Sequence, residues 1–401
     1  MQPTVVYANF PGRHPSSDYV INHLAVSGKH CTIHAVLADT GTISIVCQDS
    51  SKYGIVVNGH SFKGHQSILL MDGDKLELPN SQIFTCENVA NRGRYVSQPQ
   101  GTQVGIKSVG SYTITNRKLG SGAYSSVLLA IDRSARRQAA CKTIVRKTQA
   151  DIADVLREVQ LLQKLNHPNI NAIFDFETSG EHLYIFLELA TGGDLFSYMA
   201  KNGTLCEGEA KFISYQLMQG LTPPQPENVL LANPGQYPRV LIADFGLAKE
   251  RAFEPTGNVA GTVSYLPPEA VMAITLKNKY STEGGDSWSL GVIIFIMLQG
   301  FHPFDPRHTS TQVSLYPVNN LGQELLAEHS EELVRRRIVQ KQALFDPDQW
   351  LDLTLARDLI SKLLVQDIKA RQTARESLEH SWIKVDETSL SKAHKKLVAS
   401  R

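Results

Sequence analysis

The chain has almost no net charge: 40 Lys and Arg stand against 39 Asp and Glu, leaving +1 at pH 7. That balance removes the electrostatic case for direct nucleic-acid binding or for a membrane surface as the main partner. Cysteine is scarce too. The five (Cys31, Cys47, Cys86, Cys141, Cys206) are odd in number, widely spaced and form no Cys-x-x-Cys pair. They argue against a disulfide framework or a zinc site and for a reducing compartment. The longest apolar run, Leu290 to Leu298, is about half a membrane span. No charged-then-apolar leader opens the chain, so the expectation is a soluble intracellular protein. The most informative absence is local. No Asp occurs from Leu195 to Ala243, and no His from Leu183 to Phe301.

What is present is ordinary globular material: 401 residues, 42% hydrophobic and 20% charged, enough for two or three domains with their own cores. Up to Val89 the signals are short and β-like, at Cys31 to Val36, Ile43 to Cys47, Gly54 to Val57 and Ile83 to Cys86, separated by Gly, Asn, Asp and Ser. The polar stretch from Asn91 to Gly110 reads as a linker. Beyond it come a few strands and then helical patterns such as Asp151 to Leu165 and Ala356 to Leu364. A multidomain chain is expected, all-β first and α+β after. No internal repeat is visible.

In the first block Gly12-Arg13 is followed by Ser27-Gly28-Lys29-His30, then by Asp49-Ser50-Ser51-Lys52-Tyr53-Gly54 and Asn58-Gly59. Arg13 offers a planar fork for phosphate oxygens, Ser27 a hydroxyl donor and Lys29 a point charge. The order resembles a forkhead-associated (FHA) domain, a β-sandwich that binds phosphothreonine peptides through loops at one end. The resemblance implies that Arg13, Ser27 and Lys29 contact the phosphopeptide and that His30 braces the loop without touching ligand. Gly28 and Tyr53 depart from the family pattern, where a phosphate-contacting residue and a peptide-holding Asn stand. About a dozen residues precede Arg13 where the family has two strands, so a shortened sandwich with an open edge is expected. The alternative is a generic β-domain in which Arg13 and Lys29 are solvated charges.

From Tyr112 onward the motifs change. Leu119-Gly120-Ser121-Gly122-Ala123-Tyr124-Ser125-Ser126-Val127 is glycine-rich; Ala139-Ala140-Cys141-Lys142 offers a strand lysine; Glu158 stands on the next helical pattern; Asp244-Phe245-Gly246 follows Pro226-Glu227-Asn228. Glycines let backbone N–H groups close over phosphates, and Asn and Asp oxygens suit a hard cation that keeps phosphate and water ligands. These motifs resemble protein kinases, with the flavour of the calcium/calmodulin-dependent group. An FHA module before such a kinase is similar to the serine/threonine checkpoint kinases that answer DNA damage or meiotic breaks, the fungal meiosis-specific members above all.

The resemblance implies a bilobal fold, Mg-ATP as cofactor and transfer of the γ-phosphoryl to protein Ser/Thr. Leu119, Gly120, Gly122, Val127, Lys142, Glu188, Ala190 and Asp194 would line the ATP site, with Leu187 as gatekeeper. Glu158 would pair with Lys142, and Asn228 and Asp244 would hold Mg2+. Glu269 would pair with Arg371, and Asp286 would anchor the catalytic loop. Thr256 and Thr262 are candidate activation-segment phosphosites. Partners implied are phosphothreonine-containing proteins and protein substrates, acting in the nucleus with the cytoplasm also open. The boundaries read as FHA 1–90, linker 91–111, kinase 112–383 and tail 384–401.

Within that pattern one segment is missing. The family has a His-Arg-Asp loop whose Asp is the catalytic base, yet here only Thr222-Pro223-Pro224-Gln225 separates Leu221 from Pro226. About ten residues of the pattern are absent. The prolines end the preceding helix at or before Thr222, and Leu221 to Asn228 can span at most about 25 Å. Glu227 is a poor substitute base, since in the family that position faces substrate side chains. Two explanations stand side by side: an evolved pseudokinase or adaptor, and a splicing or gene-model error. Lesser signals are Ser97-Gln98, Thr102-Gln103 and Thr148-Gln149, which resemble targets of break-sensing kinases, and the long stretch 307–330, read as a surface insertion.

Overall fold

The computed structural model describes residues 11–37, 42–87, 107–122, 125–145, 156, 159–160, 162–220, 228–243, 265–276, 284–305, 333–340, 343 and 345–399. They fall into two compact units. One runs up to Ser197 and adds Leu230–Leu241 and the end of the chain from Lys396; the other holds Tyr198–Val229 and Ile242–Lys395.

The first unit opens with seven strands: β1 (Cys31–Leu37), β2 (Ile43–Asp49), β3 (Ile55–Val57), β4 (His60–Phe62), β5 (Ser67–Leu70), β6 (Lys75–Glu77) and β7 (Ile83–Thr85). They form two antiparallel sheets, ordered β1-β2-β5 and β4-β3-β6-β7. Asn58-Gly59 joins β3 to β4 with φ of 49° and 81°, the paired left-handed conformation that a two-residue hairpin turn requires. Between the sheets lie Val26, Cys47, Ile55, Phe62, Ile68, Leu70, Leu76 and Leu78. Register puts Ile33, Cys47 and Ile68 in one cross-strand row and His34, Val46 and Leu69 in the next. Alternation turns the second row away from the core, yet Val46 is 0%, Leu69 6% and His34 7% exposed.

Six strands follow in one antiparallel sheet: β8 (Lys107–Val109), β9 (Tyr112–Gly122), β10 (Ser125–Asp132), β11 (Arg137–Val145), β12 (Ile173–Ser179) and β13 (His182–Glu188), ordered β12-β13-β11-β10-β9-β8. β8 lies inside the stretch read as linker; a glycine with φ of 55° at 110 turns it back onto β9. One face of the sheet is apolar, with Tyr112 stacked on Phe186 at 3.7 Å among Ile114, Ala139, Cys141 and Tyr184. A short hairpin, β14 (Val229–Leu231) with β15 (Val240–Ile242), completes the strands.

The second unit is helical. Helix Gly285–Gln299 is apolar on nearly every side and buried from Ser287 to Leu298 with two interruptions, which makes it a central element. Trp288 stacks on Phe304 at 5.5 Å, and Phe295 meets Trp350 at 5.2 Å. The stretch after 384 is not a loose tail. Helix Glu387–Ala399 buries Leu390 and His394, one helical turn apart, and His394 packs edge-on to Tyr215. Ahead of it Lys211 Nζ donates to Asp386 at 2.6 Å, and Trp382 Nε1 to Glu207 at 2.8 Å.

Arg371 ties this unit together. Its side chain is fully buried beside Glu269, to which Nη1 and Nη2 donate at 2.8 and 3.0 Å. The remaining N–H groups donate to the carbonyls of Gly284 (2.9 Å), Val365 (2.7 Å) and Gln366 (3.3 Å). Arg371→Ala is expected to cost about 3–5 kcal/mol in urea unfolding. Arg371→Lys should recover less than half of that, because an ammonium has three donors and no fork.

Candidate functional site

Both turns predicted to hold phosphate are built from backbone bonds. Arg13 N–H donates to Ser27 O at 2.9 Å and His14 N–H to Gly28 O at 3.1 Å, which ties the Arg13 turn to the Ser27–Lys29 turn. A Cβ at position 12 would lie 2.1 Å from Gly28 O, so this approach needs glycine. Arg13 and Lys29 are exposed and Ser27 half-buried. His30 is 0% exposed. Its Nδ1 accepts from Ser27 N–H at 3.1 Å, so Nε2 carries the proton and donates to Gly54 O at 3.2 Å. Burial lowers its pKa, and the ring is the neutral brace this pair of bonds requires.

The third loop closes on the same place. Lys52 N–H donates to Ser27 Oγ at 3.0 Å, which leaves the hydroxyl proton of Ser27 to point elsewhere. Ser51 Oγ accepts from Gly54 N–H at 2.7 Å, and Asp49 Oδ1 from Ser51 N–H at 2.9 Å. Asp49 and Ser51 were quoted from the sequence as part of the motif but given no role. The signal was there: Asp-Ser-Ser before a glycine of positive φ is an Asx/ST turn. Tyr53 is exposed, with Lys52 Nζ 5.6 Å from its ring centre.

The residues of the first unit expected to line a nucleotide site are aligned by strand register. Gly120, Val127, Lys142 and Ile185 form one row across β9, β10, β11 and β13, and directly opposed residues share a face. Leu187 stands opposite Ala140, two residues along from Lys142, and Gly122 pairs with Ser125 at the hairpin end. Leu119 and Lys142 are half-buried. Glu188 and Ala190 lie at the end of β13. The Glu188 carboxylate is paired with Arg239, whose Nη1 donates to Pro168 O at 2.8 Å. Asp194 caps the helix Leu195–Asn202, accepting from Ser197 N–H at 2.7 Å and Ser197 Oγ at 2.8 Å.

In the second unit Asn228 directly precedes β14, and its carbonyl accepts from Ala243 N–H at 2.8 Å, just past β15. The hairpin thus fixes Asn228 beside the residue that leads into Asp244. Asp286, in the first turn of the central helix, accepts no hydrogen bond among the described residues, and burial pushes its pKa up to about 6. Glu158, Asp244, Thr256, Thr262, Glu227, the 221–227 gap, the three Ser/Thr-Gln pairs and the 307–330 stretch lie outside the described residues.

Two outcomes follow. Arg13→Ala, at an exposed position, should leave the melting midpoint unchanged and weaken binding of a phosphothreonine peptide by about tenfold or more in fluorescence anisotropy; equal affinity for the unphosphorylated peptide would contradict the site. Asp286 holds its proton in the folded state up to about pH 6 but ionises near 3.8 when unfolded. The folded state therefore binds more protons in that window, and this contribution to stability falls as pH rises from about 4 to 6. Asp286→Asn should flatten that acid-side slope and raise stability at pH 7 by about 1–3 kcal/mol in denaturant titrations.

The protein kinase domain family matches residues 113–223 and 225–383, with its break inside the proline run, and the FHA domain family matches residues 11–79. Calcium/calmodulin-dependent protein kinase type 1B of Rattus norvegicus is 32% identical over 67% of this chain and 74% of its own length. The meiosis-specific serine/threonine-protein kinase mek1 of Schizosaccharomyces pombe is 29% identical over 96% of this chain and 83% of its own. The crystal structure of Rad53 1-466 in complex with AMP-PNP matches with a TM-score of 0.51 at 26% identity, over 93% of this chain and 90% of that one. The chain belongs to the protein kinase family, as an FHA-domain serine/threonine kinase related to the checkpoint and meiotic kinases.

Proposed function

We propose that this protein is a phosphothreonine-directed member of the checkpoint serine/threonine kinases, acting in the nucleus in DNA-damage or meiotic signalling, that binds Mg-ATP but does not transfer phosphate in the form given by this sequence. Phosphothreonine-containing proteins are the partners read by Arg13, Ser27 and Lys29. Protein substrates belong to the form that carries the missing loop.

The observation that carries this reading is the contrast around the gap. The Asn228–Ala243 bond and the Gly120–Val127–Lys142 row are intact, whereas half-buried Asp286 accepts no hydrogen bond among the described residues. In the family that Asp anchors the catalytic loop, and this chain has no such loop to offer it. The residues fit the nucleotide: Lys142 with Glu158 for the α- and β-phosphates, Asn228 and Asp244 for the cation, glycine backbone for the phosphate oxygens. When bound, Mg-ATP supplies the phosphoryl group and neutralises charge as it develops. The chain's own residues hold and orient that group. They include no His-Arg-Asp carboxylate to accept the proton of a substrate hydroxyl.

Mg-ATP should raise the melting midpoint of the parent protein and fail to raise that of Lys142→Met. No shift in the parent would overturn nucleotide binding. Phosphate incorporation into a basic peptide should be undetectable, since a lost base costs about two to four orders of magnitude and the loop that aligns substrate is missing as well. Replacing Pro223 to Gln225 by about ten residues containing His-Arg-Asp-Leu-Lys should restore transfer. Robust transfer by the parent chain, abolished by Asp244→Ala, would contradict this reading.

A further inference from the structure

The outward row of the β1-β2-β5 sheet is buried although it faces away from the sandwich core. An antiparallel sheet of this kind normally wets that face, so Val46 and Leu69, at 0% and 6% exposure, require a cover. β5 is also the last strand of its sheet, and an edge strand leaves backbone N–H and C=O groups to be satisfied. The partner of Leu69 is Gln138. Its Oε1 accepts from Leu69 N–H at 2.8 Å and its Nε2 donates to Leu69 O at 3.0 Å. The side-chain amide thus imitates a neighbouring strand.

Three further contacts lie around it. Asp74, 1% exposed, holds the Arg117 guanidinium with both carboxylate oxygens. Within the FHA module the same carboxylate accepts from Asn58 Nδ2 and Met71 N–H. Gln66 Nε2 donates to Arg136 O at 3.1 Å, and Ser67 Oγ to Asn233 Oδ1 at 3.2 Å. All of these residues lie in one compact unit. The kinase-side anchors are placed tellingly: Arg117 is on β9, which continues into Gly120, and Gln138 is on β11, which continues to Lys142.

We infer that the edge of strand Ser67–Leu70 and the Asp74 turn form an intramolecular docking surface whose partner is this chain's own β9–β11 sheet, and that Asp74, Gln138 and Arg117 act as positioning residues for the strands that carry Gly120 and Lys142. The module is then a fixed part of the nucleotide-binding lobe, not a reader swinging on a tether. A two-point amide-to-backbone contact and a bidentate Arg–carboxylate pair are directional, so they set one orientation. The consequence for nucleotide rests on the reading above; the docking itself does not.

The test places a specific protease site in the polar stretch Asn91–Gly105 of the full chain. After cleavage the two pieces should co-elute on size exclusion at micromolar concentration, and Arg117→Met with Gln138→Met should separate them. Co-elution that both substitutions leave untouched, or separation of the cut parent, would overturn the proposal. As a check that does not depend on the variants folding, hydrogen exchange at the Leu69 amide should be slow in the uncut parent. It should speed up by about tenfold or more once the pieces are parted by dilution; an unchanged rate would overturn the docking. No nucleotide enters either experiment, so failure here is separable from failure of Mg-ATP binding.

Discussion

A charge taken out of water is tolerated only where its hydrogen-bonding capacity is filled, and the second unit is assembled around one group that meets this condition. Arg371 makes five bonds to Glu269 and to three carbonyls from two other parts of the chain. The helix start at Gly284, the stretch that follows helix Thr354–Leu363 and the helix carrying Glu269 are held in register by a single guanidinium. Asp286, two residues past Gly284, is the opposite case, a carboxyl whose pKa burial raises to about 6 and which accepts no hydrogen bond among the described residues. The two groups sit on the same helix start, one fully matched and the other not.

The FHA module uses neutral groups for a similar purpose. The side chains expected to meet phosphate, Arg13 and Lys29, are exposed, and what is fixed is the backbone beneath them: His30 joins Ser27 to Gly54, Lys52 N–H joins the third loop to Ser27, and the Arg13 turn is bonded to Ser27 O and Gly28 O. Hydrogen-bonded loops under exposed charged side chains suit recognition of a phosphate, since less ordering remains to be done on binding. At the far edge of the same module, buried Leu69 and Asp74 turn a surface that would ordinarily be wet into a contact with the neighbouring sheet.

Much of this was legible in the residues. The strand segments, the Asn58-Gly59 turn and the apolar central helix follow from local pattern, because alternation, turn chemistry and glycine placement are local constraints; the lysine on β11 and the Glu269–Arg371 pair were legible only through the resemblance to kinases. Other features were not legible. β8 hides in a polar stretch because three residues carry too little periodicity to read. The helix Glu387–Ala399 hides because its buried contacts are only Leu390 and His394. Asp194 was read as lining the ATP site; that its carboxylate also caps a helix through Ser197 was not read, since Asp three residues before Ser fits a cap as readily as a ligand.

The sequence alone determined the two-module plan, the order of the kinase-like motifs and the absence of a His-Arg-Asp motif, since each depends on which residues are present and in what order. Tertiary structure alone decided what depends on packing between segments far apart in the chain. It buried the second face of the β1-β2-β5 sheet, paired Gln138 with Leu69 and Arg117 with Asp74, and half-buried Asp286 at the start of the central helix. The runs Ile45-Val46-Cys47 and Ile68-Leu69-Leu70 show that both faces are apolar, but an apolar face does not name its partner. That choice is made by shape and by backbone groups left unpaired at a strand edge.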